Sequence, residues 1–279
     1  MEIIDFDELF NNKIAKTIEK HAGERTEAEW EDYIAEAYAK YGDTYIPKIG
    51  KTPRQYFAEM SNSRLVETLK ECLLQGVPVS DFLCEEIEKR GVFPELLSLL
   101  EETDEELVHY AVNLIGADGA ALGRYAQMLA SDAYDEHIKD ALSDVLKQRA
   151  DDVLEEILPL VGTENRPYAL EILSKLHKKD ERAYRALLSA FFEGEDVPLY
   201  AGYLASYGDE RALEPLLKEI EREDIGYFAF QELKFAIEAL GGEYGGSRDF
   251  SDDPEYRAIK EASAGSDIFG GKGGEEPKS

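Results

Sequence analysis

The sequence is short of cysteine, histidine and positive charge, and it has no long apolar run. Each shortage removes a class of protein. Two cysteines in 279 residues, Cys72 and Cys84, cannot staple a framework of this length. Both sit in apolar helical contexts, Glu71-Cys72-Leu73-Leu74 and Leu83-Cys84-Glu85, where they read as small buried residues, and no disulfide is expected. No stretch approaches the roughly 20 uninterrupted apolar residues that span a bilayer. The opening MEIIDFDELF lacks the basic start, apolar centre and small-residue cleavage site of a secretory signal, so it is expected to be mature sequence of a cytoplasmic protein. Lys and Arg number 31 against 60 Asp and Glu, a net charge of −29. A surplus of that sign disfavours phosphate backbones, so neither nucleic acid nor a membrane is expected as a partner.

Signatures of catalysis are missing as well. The four histidines, His21, His109, His137 and His177, fall in different elements, with no HExxH or Cys-x-x-Cys spacing to draw two metal ligands together. There is no Gly-x-Ser-x-Gly elbow, no cysteine beside a histidine and no GxxxxGK loop, and the GGKGG at 270–274 reads as a linker. Adjacent acids such as Glu101-Glu102, Asp151-Asp152 and Glu155-Glu156 remain ionised on solvated helices. The run Asp132 to His137, DAYDEH, reads as the capped start of a helix. No catalytic, cofactor-binding or metal residue is assigned.

What the chain does have is helical periodicity almost throughout. Residues 1–91 read as a helical N-terminal module. The spacing predicts a short helix over 1–20. A second helix begins at the capping box Thr26-Glu27-Ala28-Glu29 and carries Trp30, Tyr33, Ile34, Ala37, Tyr38 and Tyr41, with Trp30 expected to be a packing anchor. Further helices are expected from Pro53 to Met60, from about Ser63 to Gly76 and from Asp81 to Arg90.

From Phe93 the pattern becomes helical hairpins. Pro94–Glu102 pairs with Glu105–Ile115, Asp118–Leu129 with Tyr134–Gln148, Asp151–Val161 with Arg166–His177, and Asp180–Phe192 with Val197–Tyr207. The last unit runs from Gly208 to Gly242. In it Asp209 caps a first helix carrying Leu213, Leu216, Leu217 and Ile220, and Phe228, Leu233, Ala236, Ile237 and Leu240 supply the apolar positions of the second. A lone hairpin cannot bury its apolar face, so a stack is expected, with a period near 30. Residues 244–279 are rich in glycine and poor in apolar side chains, and they read as a largely disordered tail with one or two helical turns after Asp253-Pro254.

The run Gly208-Asp209-Glu210-Arg211-Ala212-Leu213-Glu214-Pro215-Leu216-Leu217, closed by Ala236-Ile237-Glu238-Ala239-Leu240-Gly241, resembles a HEAT repeat of the short bacterial type first noted in phycobilisome lyases. Phe230 or Gln231 stands about where many members carry an arginine. The resemblance implies an all-α fold: a short α-solenoid of stacked hairpins over residues 92–243, preceded by the N-terminal module and followed by the flexible tail. It also implies a binding role, with the second helices lining a concave surface. HEAT-like enzymes such as deoxyhypusine hydroxylases hold iron through His-Glu pairs, and no His-Glu dipeptide occurs here. HEAT-like DNA glycosylases use a basic channel that this composition does not supply.

Two features suggest where a partner would bind. Between Gly91 and Gly162 there are 16 acidic and 4 basic residues, and Glu105, Glu106, Glu136 and Asp140, with His109 beside them, are the candidate positions for steering a basic segment. The last two hairpins concentrate aromatics, of which Tyr200, Tyr203, Tyr207 and Tyr227 are the candidate anchors, tyrosine offering a rigid apolar ring with a polar tip. The expected function is therefore a non-catalytic scaffold or adaptor for a protein or peptide partner, without a cofactor. An enzyme of lyase or hydroxylase type on a similar fold is the alternative.

Overall fold

The structure, a computed structural model, describes residues 3–267. Among them the chain is all-helical, as the periodicity predicts, with sixteen α-helices and no strand beyond an isolated antiparallel bridge between Ile46 and Lys51. The chain divides into two compact units, Met1–Tyr125 with Ala133–Leu142, and Ala126–Asp132 with Ser143–Ser279.

The first unit holds α1 (Phe6–Lys20), α2 (Glu27–Tyr41), α3 (Pro53–Ala58), α4 (Asn62–Gln75), α5 (Asp81–Arg90), α6 (Phe93–Leu96) and α7 (Glu105–Ile115). Starts are set by side chains the sequence advertises. Thr26 with Glu29 and Thr52 with Gln55 close capping boxes, and Ser61 and Asp104 accept from Arg64 N and Leu107 N. Left-handed glycines end α4 at Gly76 and α5 at Gly91. Phe6 lies edge-on to Tyr56 and Phe57, while Phe10 meets Tyr38 and Tyr41, and Tyr38 stacks on Phe82 at 5.0 Å. Arg90 donates to the carbonyls of Ala58 and Met60, satisfying groups left free at the end of α3. Trp30 is no core anchor. It is half-buried and T-shaped to Tyr33, with the Arg25 guanidinium over both rings.

The division between units passes through α8 (Leu122–Leu129) and α9 (Glu136–Lys147). The second unit continues with α10 (Leu154–Ile157), α11 (Arg166–Leu173), α12 (Glu181–Glu193), α13 (Val197–Tyr207), α14 (Leu213–Ile220), α15 (Tyr227–Ala239) and α16 (Pro254–Asp267). Several expected helices are shorter or broken. Asp151–Val161 becomes two 3₁₀ turns around α10, because Pro159 has no N–H to donate and its ring crowds the preceding turn. The helix expected from Asp118 begins at Leu122, since the Asp118 carboxylate holds Ala120 N at 2.9 Å in a local turn. Pro94–Glu102 is α6 followed by a 3₁₀ turn over Leu97–Glu101.

Within this unit α12 packs on α13, α14 on α15, and the second helices α11, α13 and α15 pack in succession. The hairpins are joined by contacts made at three aspartates spaced 29 residues apart, Asp151, Asp180 and Asp209. Asp151 accepts from His177 N and Lys178 N, Asp180 caps Arg182 N, and Asp209 caps Arg211 N. Arg182 reaches back to Glu155 at 2.6 Å and Arg211 to Glu181 at 2.8 Å. The tetrapeptide Asp-Glu-Arg-Ala, at 180–183 and again at 209–212, is the sequence sign of this ladder.

The reading of 244–279 as a loose tail is corrected for its first part. Phe250 is 9% exposed and its ring packs on Tyr227 and Phe230. Arg248 donates to the carbonyls of Ile220 and Arg222, capping α14. The Asp253 carboxylate accepts from Tyr227 N at 2.9 Å and also starts α16. Residues 268–279 lie outside the described residues, so the remainder of that expectation falls on them.

Candidate protein-binding surface

The acidic candidates belong to the first unit. Glu105 and Glu106 are exposed in the first turn of α7, and Glu136 and Asp140 are exposed at the start of α9. They complement the positive ends of those helices. His109 is half-buried, its ring stacked on His137 at 4.2 Å, so the two acidic first turns lie side by side. Burial lowers the His109 pKa and His137 lowers it further. The lowered value favours the neutral form of the His109 ring, and Glu105, Glu106, Glu136 and Asp140 around the pair are exposed.

The aromatic candidates belong to the second unit, where the structure separates them into two kinds. Tyr207 is 1% exposed. Its hydroxyl donates to the Asp180 carbonyl and accepts from Asp180 N, while Lys179 lies over the ring and donates to the Tyr207 carbonyl. Tyr227 is covered by Phe250 and Tyr256, with centroids at 5.3 and 4.9 Å. Tyr207 is a packing residue, which corrects its place among the anchors, while Tyr227 is half-buried against those two rings. Tyr200 and Tyr203 remain half-exposed, edge to face at 6.0 Å.

Tyr203 stands beside a polar cluster. Lys147 bonds Glu171 at 2.6 Å and Asp144 at 2.7 Å, and Ser143 donates to the second oxygen of Glu171. Burial, with the Glu171 charge adding to it, pushes the Tyr203 phenol up to about 12. It is a neutral donor at physiological pH.

Sequence reasoning did not single out Leu199 or Phe235. Leu199 is 42% exposed on α13, and Phe228 and Phe235 are 52% and 61% exposed on the adjacent α15. Phe228, expected at an apolar position of its helix and among the aromatics of the last two hairpins, stands on the exposed side. It and Phe235 are seven residues apart and share a face, while Phe230, Leu233 and Ile237 occupy the buried one. That seven-residue spacing was the available signal. Between the tyrosines Gly202 is exposed, and no atom lies within 4 Å of where its Cβ would be. The outer face of α13 is therefore bare backbone flanked by Leu199 and Tyr203. Glu195 and Asp196 stand exposed at its start.

Among the described residues no three His, Cys, Asp or Glu side chains gather to hold a metal ion. No helix of the described residues is long and apolar enough to cross a membrane. Both cysteines are free, and burial pushes the Cys84 thiol up to about 11. No protein-family model matches the chain, and no curated protein matches it.

Proposed function

We propose that this protein is a non-catalytic binding scaffold, built on a short HEAT-like stack of helical hairpins, that takes a basic and partly apolar segment of another protein on the outer face of α13 and α15. The observation that carries the reading is the exposure of Leu199, Phe228 and Phe235 on two neighbouring second helices, beside Tyr200 and Tyr203. Large apolar side chains exposed on neighbouring helices, with aromatic rings among them, are the composition of an interface centre. The net charge of −29 selects a partner of the opposite sign and speeds its approach.

Capture from an extract of the source cell, with wild-type protein and the Phe228→Ser, Phe235→Ser double variant in parallel, tests this. Both phenylalanines are exposed, so the melting temperature is expected to move by less than about 2 °C. A partner retained by wild type and lost by the variant supports the surface. Equal capture by both removes α13 and α15 as the binding face.

A further inference from the structure

We propose that the groove between α4 and the α6–Glu101 segment, in the first unit, is a docking site for a basic amphipathic helix of another protein. The groove is open and has a volume of about 780 Å³. Its two walls are helical stripes. On α4 the stripe is Ser63, Val66, Glu67, Lys70, Glu71 and Leu74, spaced by three and one, while the opposite face of the same helix buries Leu65, Leu69 and Cys72. On the other wall Pro94, Glu95, Ser98, Leu99 and Glu102 repeat the same spacing. Asn62 donates to Glu95 at 3.1 Å, and Lys70 pairs with Glu102, so the two segments run side by side with a tether at each of two levels.

Two parallel stripes of this kind leave a trough that a third helix fills with residues at i, i+3, i+4 and i+7. The apolar part of the trough is the exposed Leu74 and Pro94, with Val66 and Leu99 almost buried at its floor. Leu74 is 57% exposed, unusual for a leucine whose helix is otherwise well packed. Charge sets the sign of the occupant. Glu67, Glu71, Glu95 and Glu102 face the trough with Lys70, and Arg64 stands behind it, bonded to Glu67 at 2.7 Å and Glu71 at 3.0 Å. The hydrogen bonds from Arg64 hold the Glu71 carboxyl below its ordinary range. Four carboxylates thus share two cations. An incoming helix with lysine or arginine flanking its apolar positions supplies the missing charge, whereas a second copy of this chain, at −29, brings more of the same sign.

The test uses the full chain and a fluorescein-labelled helical peptide of about 14 residues, with leucine at the i, i+3, i+4 and i+7 positions and lysine elsewhere. A control peptide keeps the lysines and replaces each leucine by serine. In anisotropy titrations at about 0.15 M salt the leucine peptide is expected to bind at least about tenfold tighter than the control. Leu74→Ser and Glu67→Lys, both at exposed positions, are each expected to weaken it by about five- to tenfold, and Glu31→Lys, exposed on α2, by less than about twofold. Equal binding of the two peptides, or equal loss in all three variants, would mean general attraction to an acidic chain and overturns the proposal. The Phe228→Ser, Phe235→Ser variant is expected to bind the peptide like wild type. If it alone abolishes binding, the peptide sits on α13 and α15 and the groove is not its site.

Discussion

Gly202 lies in the middle of α13, exposed, with helical backbone and open space where a Cβ would stand. Nothing within the unit requires its small size, and a mid-helix glycine costs about 0.5–1 kcal/mol relative to alanine. Gly202→Ala is therefore expected to raise stability by roughly that amount in urea melts, and to weaken partner binding if a partner backbone approaches there. A loss of stability would mean that the position is not open. The tyrosines show why exposure at this scale is hard to read from spacing. Tyr200 and Tyr207 are seven residues apart and on one helical face, yet the turn at Lys179–Asp180 covers only the C-terminal end of α13. Tyr207 is enclosed there, and Tyr200 keeps contact with water.

At the scale of elements, the segment from Arg248 to Tyr256 closes the end of the second unit. It caps α14 through Arg248, caps the first turn of α15 through Asp253, and inserts Phe250 against Phe230. Phe250→Ala removes a nearly buried ring and is expected to cost about 3 kcal/mol in denaturant unfolding. Ending the chain at Gly246 should lower the melting temperature more than the single substitution, because both caps are lost with the ring. A truncated protein that melts like the full chain would show that this segment contributes nothing. The glycines at 241, 242, 245 and 246 made the region read as loose. The pairing of an isolated Phe250 with α15 is a contact over 20 residues, and no local pattern announces it.

The whole molecule carries −29 charges, far more carboxylates than its cations can pair. Near pH 7 the surplus repels itself, so added salt is expected to raise the melting temperature, and so is a fall in pH toward about 5. Further acidification acts through the paired groups. Hydrogen bonds from Arg182 hold the Asp180 carboxyl down to about 2, against an ordinary 3.8, and Arg211 holds Asp209 and Glu181 below their ordinary values. Carboxylates with depressed folded-state pKa values contribute stability that is present above their unfolded values and is lost as pH falls through the folded ones. The melting temperature is thus expected to peak near about pH 5 and to fall below about pH 4. A steady decline from pH 7 downward would contradict the self-repulsion argument. Asp180→Asn should reduce the acid-side loss.

The sequence by itself determined the local decisions: the all-helical class, the capped starts at Thr26, Thr52, Asp180 and Asp209, and the glycine stops at 76 and 91. Those choices are made by backbone groups seeking partners within a few residues, and spacing reports them. The break near α10 is local too, at Pro159, although apolar spacing alone reads Asp151–Val161 as one helix. Tertiary structure alone decided which residue of a periodic set meets water. Phe228 differs from Phe230, Tyr203 from Tyr207, and Leu74 from Leu69 by what happens to be packed against each, and that neighbour is distant in sequence. The candidate surfaces rest on such differences, because binding uses the apolar side chains that folding leaves uncovered.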